Sequence, residues 1–228
     1  MKAYETCLLQ ISQAQLLLYG MGVRRIYGFV QQTEPSREEA LQLYMEMVRN
    51  GILIPEQDTL ALQEPWRNCL AQWSQADTVV RFHAAGDSRP DACLYPGIEQ
   101  VLAVTPQQRR PAMLRLTALP RDGVWPWLAE EYDLPPESRD TLLCEQASLA
   151  GAEKTKGTLP AELPGLLFLL EAVGADGSAA ARLAAVQHPL YRQLLCERDG
   201  CVTQRPYRTA ELQSWLQPWF APKKEKTL

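Results

Sequence analysis

The chain has 228 residues, a formal net charge of −4, and 46% hydrophobic and 22% charged residues. This composition is close to that of average globular proteins, and the length suffices for one large domain or two small ones. The longest apolar run, around Leu166 to Leu170, is far shorter than the roughly 20 residues that span a bilayer. We therefore expect a folded protein without a membrane partner.

The ends of the chain and its charge balance restrict its location and partners. Gln10 interrupts the apolar run from Cys7 to Ile11 and no small-residue cleavage site follows, so we expect a cytoplasmic protein rather than a secreted one. The segment from Met1 to Gln75 has six Lys/Arg against eight Asp/Glu. The basic cluster from Lys223 to Lys226 lies in a predicted flexible tail, 222–228. This balance argues against a nucleic-acid partner.

The N-terminal segment, 1–76, has the outline of a winged helix. Its predicted elements, in chain order, are a helix from Ser12 to Tyr19 with Ser12 as N-cap, a strand from Arg25 to Val30, a helix that begins at the capping box Ser36-Arg37-Glu38-Glu39 and ends at Asn50-Gly51, a β-hairpin from Gly51 to Leu62, and a helix with Trp66, Leu70 and Trp73 on one face. In the second helix, Ala40, Leu41, Tyr44, Met45 and Val48 recur at helical spacing.

The segment 77–135 changes to a period of two, which is typical of strands. The predicted strands are Thr78 to His83, Ala92 to Tyr95, Glu99 to Val104 and Ala112 to Leu119, and a covering helix is predicted from Asp122 to Tyr132. Turn residues separate the first three strands, so we expect an antiparallel meander closed by a helix.

The segment 136–221 repeats this pattern after a helical insert. We predict a helix from Ser138 to Ala150, a flexible loop from Glu153 to Thr158, strands from Gly165 to Val173, Ala179 to Gln187, Tyr191 to Cys196 and Cys201 to Tyr207, and a helix from Thr209 to Leu216. Each half ends in a strand, a short turn and a Trp-bearing helix, which indicates an internal duplication. The predicted fold class is α+β, with two antiparallel meanders in a pseudo-twofold arrangement after a winged-helix-like segment.

No catalytic, cofactor-binding or metal-binding motif is recognisable. His83 and His188 are expected at strand ends, outside any His-Glu-x-x-His or Cys-x-x-Cys frame. Cys93 is the one cysteine placed to meet His83 across adjacent strands, but no oxyanion hole or nucleophile elbow accompanies it. Cys196 and Cys201 flank a predicted turn, and whether they pair is left open.

Four tryptophans beside prolines are the candidate partner-binding residues: Trp125, Trp127, Trp215 and Trp219. Large rings at helix ends are often half exposed, and half-exposed tryptophan is typical of interfaces. The alternative is that these rings anchor the helices to the sheet.

The order of elements supports a resemblance to a known family. The residues that carry it are Ser12 to Gly20, the helix from Ala40 to Gly51 that runs into Asp58 to Leu62, and the repeated sheet unit. Together they resemble the EspG chaperones of ESX (type VII) secretion. The resemblance implies a cytosolic, non-catalytic protein that binds an aggregation-prone secretion substrate. It also implies contact surfaces at the loop from Ala84 to Asp91 and in the region from Ser138 to Gly157.

Three functional hypotheses follow. The first is a non-enzymatic, chaperone-like protein whose partner is another protein and which needs no cofactor. The second is a winged-helix DNA-binding regulator, although Arg37 and Arg49 are the only basic residues of its second helix, beside three glutamates. The third is an enzyme of unrecognised type.

Overall fold

The computed structural model describes residues 4–23, 35–86, 89–137, 155–174 and 177–220, and within these ranges the fold is α+β. The α-helices are α1 (Ile11–Gly20), α2 (Arg37–Arg49), α3 (Trp66–Gln75), α4 (Val124–Glu131) and α5 (Thr209–Phe220). The strands are β1 (Thr6–Gln10), β2 (Leu53–Glu56), β3 (Thr59–Leu62), β4 (Thr78–Ala84), β5 (Ala92–Pro96), β6 (Gln100–Gln107), β7 (Arg110–Pro120), β8 (Thr155–Lys156), β9 (Leu166–Gly174), β10 (Ala179–Gln187), β11 (Arg192–Arg198) and β12 (Cys201–Pro206). The predicted fold class is confirmed at this level.

Ten of the described strands form one antiparallel sheet, in the order β1-β7-β6-β5-β4-β9-β10-β11-β12-β8. Strands β4 to β7 pair consecutively, as do β9 to β12, and the two runs join where β4 pairs with β9. Along this join Val80 lies opposite Ala172 and Phe82 opposite Leu170. The alternating segments therefore build one continuous sheet rather than two, while β2 and β3 form a separate hairpin.

Alternation along the strands gives the sheet two buried faces. On β4, Val80, Phe82 and Ala84 belong to the core under α4 and α5. Val79 points the other way, into the core that α1, α2 and α3 cover. Successive side chains of a strand lie on opposite faces, so one apolar stretch serves two cores.

The core under α4 and α5 centres on aromatic rings. Phe168 lies 5.4 Å from Phe82, 5.7 Å from Trp125 and 6.3 Å from Tyr207 between ring centroids. Leu212, Leu216 and Phe220 of α5 are buried in the same core. Burial of Phe220 explains why α5 continues through Pro218 to Phe220 instead of ending at Leu216 as predicted.

The core on the opposite face joins the N-terminal segment to the sheet. Leu70 and Trp73 of α3 are buried there, and the Trp73 ring lies 5.1 Å from that of Tyr95 on β5. Strand β1, which the sequence did not predict, pairs with β7 at the sheet edge and buries Cys7 and Leu9. The N-terminal segment thus shares its core with the first strands of the sheet. The division of the chain into domains after residues 76 and 135 stays a prediction.

Several predicted elements lie outside the described residues. These are the strand from 25 to 30, the helix from 138 to 150 and the tail, 222–228. Within the predicted flexible loop, Thr155–Lys156 instead forms β8, which pairs with Cys201 and Val202 of β12.

Helix α2 begins with the predicted capping box. Glu39 N–H donates to Ser36 Oγ at 3.3 Å, and Ser36 N–H donates to Glu39 Oε2 at 2.8 Å. The corresponding expectation for α1 was wrong, because its N-cap is Gln10 rather than Ser12, and Gln10 N–H donates to Gln13 Oε1 at 3.2 Å. In both helices, the side chain three residues after the N-cap accepts a hydrogen bond from the backbone N–H of the N-cap residue, which has no partner within the helix.

This difference gives a test in which one serine serves as the control for the other. Ser36→Ala should lower the free energy of unfolding by about 1 kcal/mol, since an N-cap oxygen is lost. Ser12→Ala should leave it nearly unchanged, because Ser12 lies inside α1. Urea denaturation of both variants checks this, and equal effects would contradict the assigned caps.

The capping box also makes α2 sensitive to acid. The hydrogen bonds from the backbone and side chain of Ser36 hold the pKa of Glu39 below its usual value. A lowered pKa in the folded state means that this stabilisation is present above the unfolded pKa. It is lost as the pH falls through the folded value.

Candidate protein-binding surfaces

Trp215 and Trp219 line an open cleft between α5 and the β11–β12 hairpin. They are four residues apart on one helix face, half-buried, with ring centroids 6.0 Å apart. The cleft has a volume of about 410 Å³ and reaches Cys196 and Thr203 on the strands. We call it the Trp cleft. It confirms the expected partial exposure of these two rings.

Charged groups frame the Trp cleft. The Arg198 guanidinium carbon lies 5.8 Å from the centroid of the Trp219 ring, a cation–π distance. Arg205 Nη1 donates to Glu211 Oε2 at 2.8 Å, and this hydrogen bond raises the pKa of Arg205. The Trp cleft therefore has an apolar floor and a charged rim. This combination suits a ligand in which an apolar side chain lies next to a polar group.

A second cleft lies on the other side of α5, towards α4. Its volume is about 630 Å³, and it is lined by Arg121, Trp125, Gln213, Gln217 and Phe220 among others. Helix α5 therefore stands between two clefts, with its exposed Gln213 and Gln217 facing outward.

The expected exposure was wrong for Trp125 and Trp127. Each is only 7% exposed, and both pack in the core between α4 and the sheet. Their position on the short helix after the 3₁₀ turn Arg121–Gly123 turns both rings inward. These two residues anchor the fold, and Trp125 also reaches the edge of the second cleft.

Helix α2 exposes an apolar stripe that the sequence did not assign to a surface. Leu41, Met45 and Val48 are 61%, 53% and 37% exposed. They are spaced i, i+4 and i+7, so they form one face of the helix, which we call the α2 stripe. The core is instead contacted by Met47, which is fully buried. The sequence signal for this surface is the number of apolar residues in α2. There are more of them than a single buried helix face can accommodate.

Within the part of the chain that the structure describes, the two histidines contact Asp91, Gln193 and Tyr191 rather than a cysteine. His83 Nδ1 lies 2.6 Å from Asp91 Oδ1, and both side chains are more than half exposed. Cys93 is buried opposite Arg81 in the β4–β5 ladder, and burial raises the pKa of its thiol to about 12. His188 stacks on Tyr191 with centroids 4.6 Å apart. The structure thus pairs His83 with Asp91 instead of Cys93.

Cys196 and Cys201 are free thiols that both line the Trp cleft. In the β11–β12 ladder Cys196 lies opposite Thr203, and Cys201 lies opposite Arg198. Burial raises the pKa of Cys196 to about 11, which keeps this thiol protonated near neutral pH.

Across the part of the chain that the structure describes, no three His, Cys, Asp or Glu side chains come together as metal ligands would. Likewise, none of the helices described above combines the length and apolarity needed to cross a bilayer.

The surfaces that the family resemblance implied are described only in part. In the loop 84–91, all residues except 87 and 88 are described, and Arg89 Nη1 donates to the backbone oxygen of Glu131. Most of the second surface, 138–154, lies outside the described residues.

In the comparison with known proteins, the similarity that was found is one of fold. No family model matches the chain, and no curated protein matches its sequence. Among solved structures, the chain is similar to the Mycobacterium tuberculosis type VII secretion system chaperone EspG5, solved in complex with the PE25–PPE41 dimer. The TM-score is 0.54 at 10% identity, over 97% of this chain and 98% of that one. The chain therefore shares the architecture of a type VII secretion chaperone.

Proposed function

We propose that this is a non-enzymatic, cytoplasmic, chaperone-like protein that binds another protein, and that it serves type VII secretion. One observation carries the proposal: α2 presents Leu41, Met45 and Val48 to solvent as a continuous stripe. Exposed apolar side chains arranged in one patch mark interaction sites more often than scattered ones do.

The stripe suits the apolar face of a partner helix. Residues at i, i+4 and i+7 are the anchors by which amphipathic helices pack against one another. Burial of a Leu or Met side chain contributes roughly 1.5–3 kcal/mol, so covering the stripe stabilises a complex substantially. Met45 adds a flexible, polarisable contact that adapts to irregular partner surfaces.

The fold likeness and the Trp cleft support the same proposal. The neighbouring structure is a chaperone with a bound protein dimer. In this chain we propose Trp215 and Trp219 as further partner-binding residues, while Trp125 and Trp127 are buried in the core. The strand order, in which β4 to β7 and β9 to β12 form two consecutive runs, supports the proposed pseudo-twofold duplication.

DNA binding is the weaker alternative. The N-terminal segment has the helix, helix and hairpin order of a winged helix, in which α2 would enter the major groove. Its exposed face is apolar rather than basic, and the hairpin carries Glu56 and Asp58. Lys and Arg side chains attract a phosphate backbone, and this surface has no excess of them.

A binding measurement with the PE25–PPE41 dimer tests the proposal. We expect the chain to bind it, and Leu41→Lys with Met45→Lys to weaken binding by roughly tenfold or more, because two apolar anchors are replaced by charges. Biolayer interferometry gives the dissociation constants, and thermal unfolding should show little change because both side chains are exposed.

Leu190→Lys is the matched control, since Leu190 is also highly exposed but lies away from α2, before β11. It should bind like the unchanged chain. Absence of binding to the dimer would contradict the assignment to type VII secretion. A native-host interactome that is identical for the α2-stripe variant and the control would contradict the protein-binding role of the stripe.

A further inference from the structure

Two buried cysteines from distant parts of the sequence meet in the core that α1, α2 and α3 cover. Cys7 lies on β1 and Cys69 on α3, and their side chains belong to the same apolar cluster. The two residues are 6% and 4% exposed. Both are free thiols, and the thiols form a hydrogen bond with each other.

A contact between neighbouring residues holds β1 against α3. Trp66 Nε1, from the first residue of α3, donates to the backbone oxygen of Leu8 at 3.0 Å. Leu8 follows Cys7 on β1, and Cys69 comes three residues after Trp66, on the same side of the helix. The fold itself therefore keeps the two cysteines next to each other.

The hydrogen bond between the two thiols makes them ionise differently. It lowers the pKa of Cys69 despite burial, because a thiolate at Cys69 accepts the S–H of Cys7. The same hydrogen bond, together with burial, raises the pKa of Cys7. Burial also raises the pKa of Cys93 to about 12 and that of Cys196 to about 11. Since the thiolate is the reactive form of cysteine, Cys69 is the nucleophilic member of its pair.

We propose that Cys7 and Cys69 form a reversible disulfide when the protein meets a peroxide, and that this bond fastens the edge strand β1 to α3. In the first step the Cys69 thiolate attacks a peroxide oxygen. An S–O bond forms, the O–O bond breaks, and the leaving hydroxide takes up the proton that Cys69 had lost, which leaves Cys69 as a sulfenic acid.

In the second step the Cys7 thiol attacks the sulfur of the Cys69 sulfenic acid. The S–S bond forms, the S–O bond breaks, and the leaving hydroxide takes the Cys7 proton to become water. With hydrogen peroxide as the oxidant, two thiols lose two electrons and the peroxide is reduced to two molecules of water. A dithiol such as dithiothreitol reverses the reaction by thiol–disulfide exchange.

The place of β1 in the sheet gives a small oxidant access to the pair. Strand β1 has five residues and stands at one end of the strand order, where it pairs with β7. A short edge strand opens at a lower free energy than the strands at the centre of a sheet. The disulfide would join residues about 60 positions apart, and such a long loop constrains the unfolded chain strongly.

Peptide mapping by mass spectrometry tests the proposal, because each of the six cysteines lies in a different tryptic peptide. The folded chain is treated with hydrogen peroxide, its remaining thiols are blocked with N-ethylmaleimide, and it is digested without a reducing agent. We expect peptide 3–24 linked to peptide 68–81, and loss of this link after dithiothreitol. The melting temperature of the oxidised protein should lie roughly 5–15 °C above that of the reduced protein.

Two variants identify the thiols that react. Cys7→Ala should remove the link and leave Cys69 as a sulfenic acid that dimedone traps, whereas Cys196→Ala should keep the link. If Cys7→Ala does not fold, the map of the unchanged chain still decides. The inference is overturned if peroxide converts Cys69 to a sulfinic acid without a link, if other cysteines are linked to the same extent, or if the link forms only in urea.

Discussion

Phe168→Ala is expected to lower the free energy of unfolding by about 3–5 kcal/mol, the usual cost of removing a buried phenylalanine. Phe168 is fully buried on β9 and contacts rings from three places in the chain: Phe82 on β4, Trp125 on α4, and Tyr207 just before α5. Truncation removes all three contacts and leaves a cavity between the sheet and both covering helices.

Urea denaturation measures this loss, and the slope of free energy against urea should stay the same if the variant remains folded in its native form. Phe168→Leu should cost less, because much of the volume is retained. Ile98→Ala, which changes a side chain that is 78% exposed, serves as the control with almost no expected effect. A small loss of unfolding free energy for Phe168→Ala would contradict the inference that this ring is central to the core.

Gly165→Ala is expected to destabilise the fold by about 2–5 kcal/mol, from two separate causes. Gly165 has φ +73°, in the left-handed region that L side chains rarely adopt. A Cβ there would also lie 2.3 Å from the backbone oxygen of Gln187. Gln187 N–H donates to Gly165 O at 2.7 Å, so the close approach belongs to the pairing of β9 with β10.

Gly200→Ala separates the two causes. Gly200 has φ +69°, but a Cβ there would have no atom within 4 Å. This variant should show only the backbone strain, about 1–2 kcal/mol. The difference between the two midpoints of urea unfolding then reports the clash at Gln187. Equal losses of unfolding free energy for Gly165→Ala and Gly200→Ala would show that the backbone near Gly165 relaxes without an energetic cost.

The sheet and its covering helices could be predicted because their residues carry local signals. Alternation on β4, the capping box at Ser36, and turn residues between strands each act within a few positions. The same local patterns cannot tell which strands pair across the chain. The join of β4 with β9 depends on residues about 90 positions apart, such as Val80 and Ala172, so local patterns do not show that the two runs of strands form one sheet.

The candidate surfaces were harder to predict because exposure is a property of packing. Trp125 and Trp215 have similar neighbours in sequence, yet one ring is buried in a core and the other lines a cleft. The stripe of Leu41, Met45 and Val48 has the spacing of a core-facing helix, and only tertiary packing turns it outward.

The sheet separates two of these surfaces. Helix α2 packs through Met47 on the same side as Val79, whereas α5 packs through Leu216 and Phe220 on the side of Val80. A rigid body seated on one side leaves the other accessible, so occupation of the α2 stripe does not obstruct the Trp cleft. On the proposed function, two segments of a partner could therefore be bound at once, one on each side of the sheet.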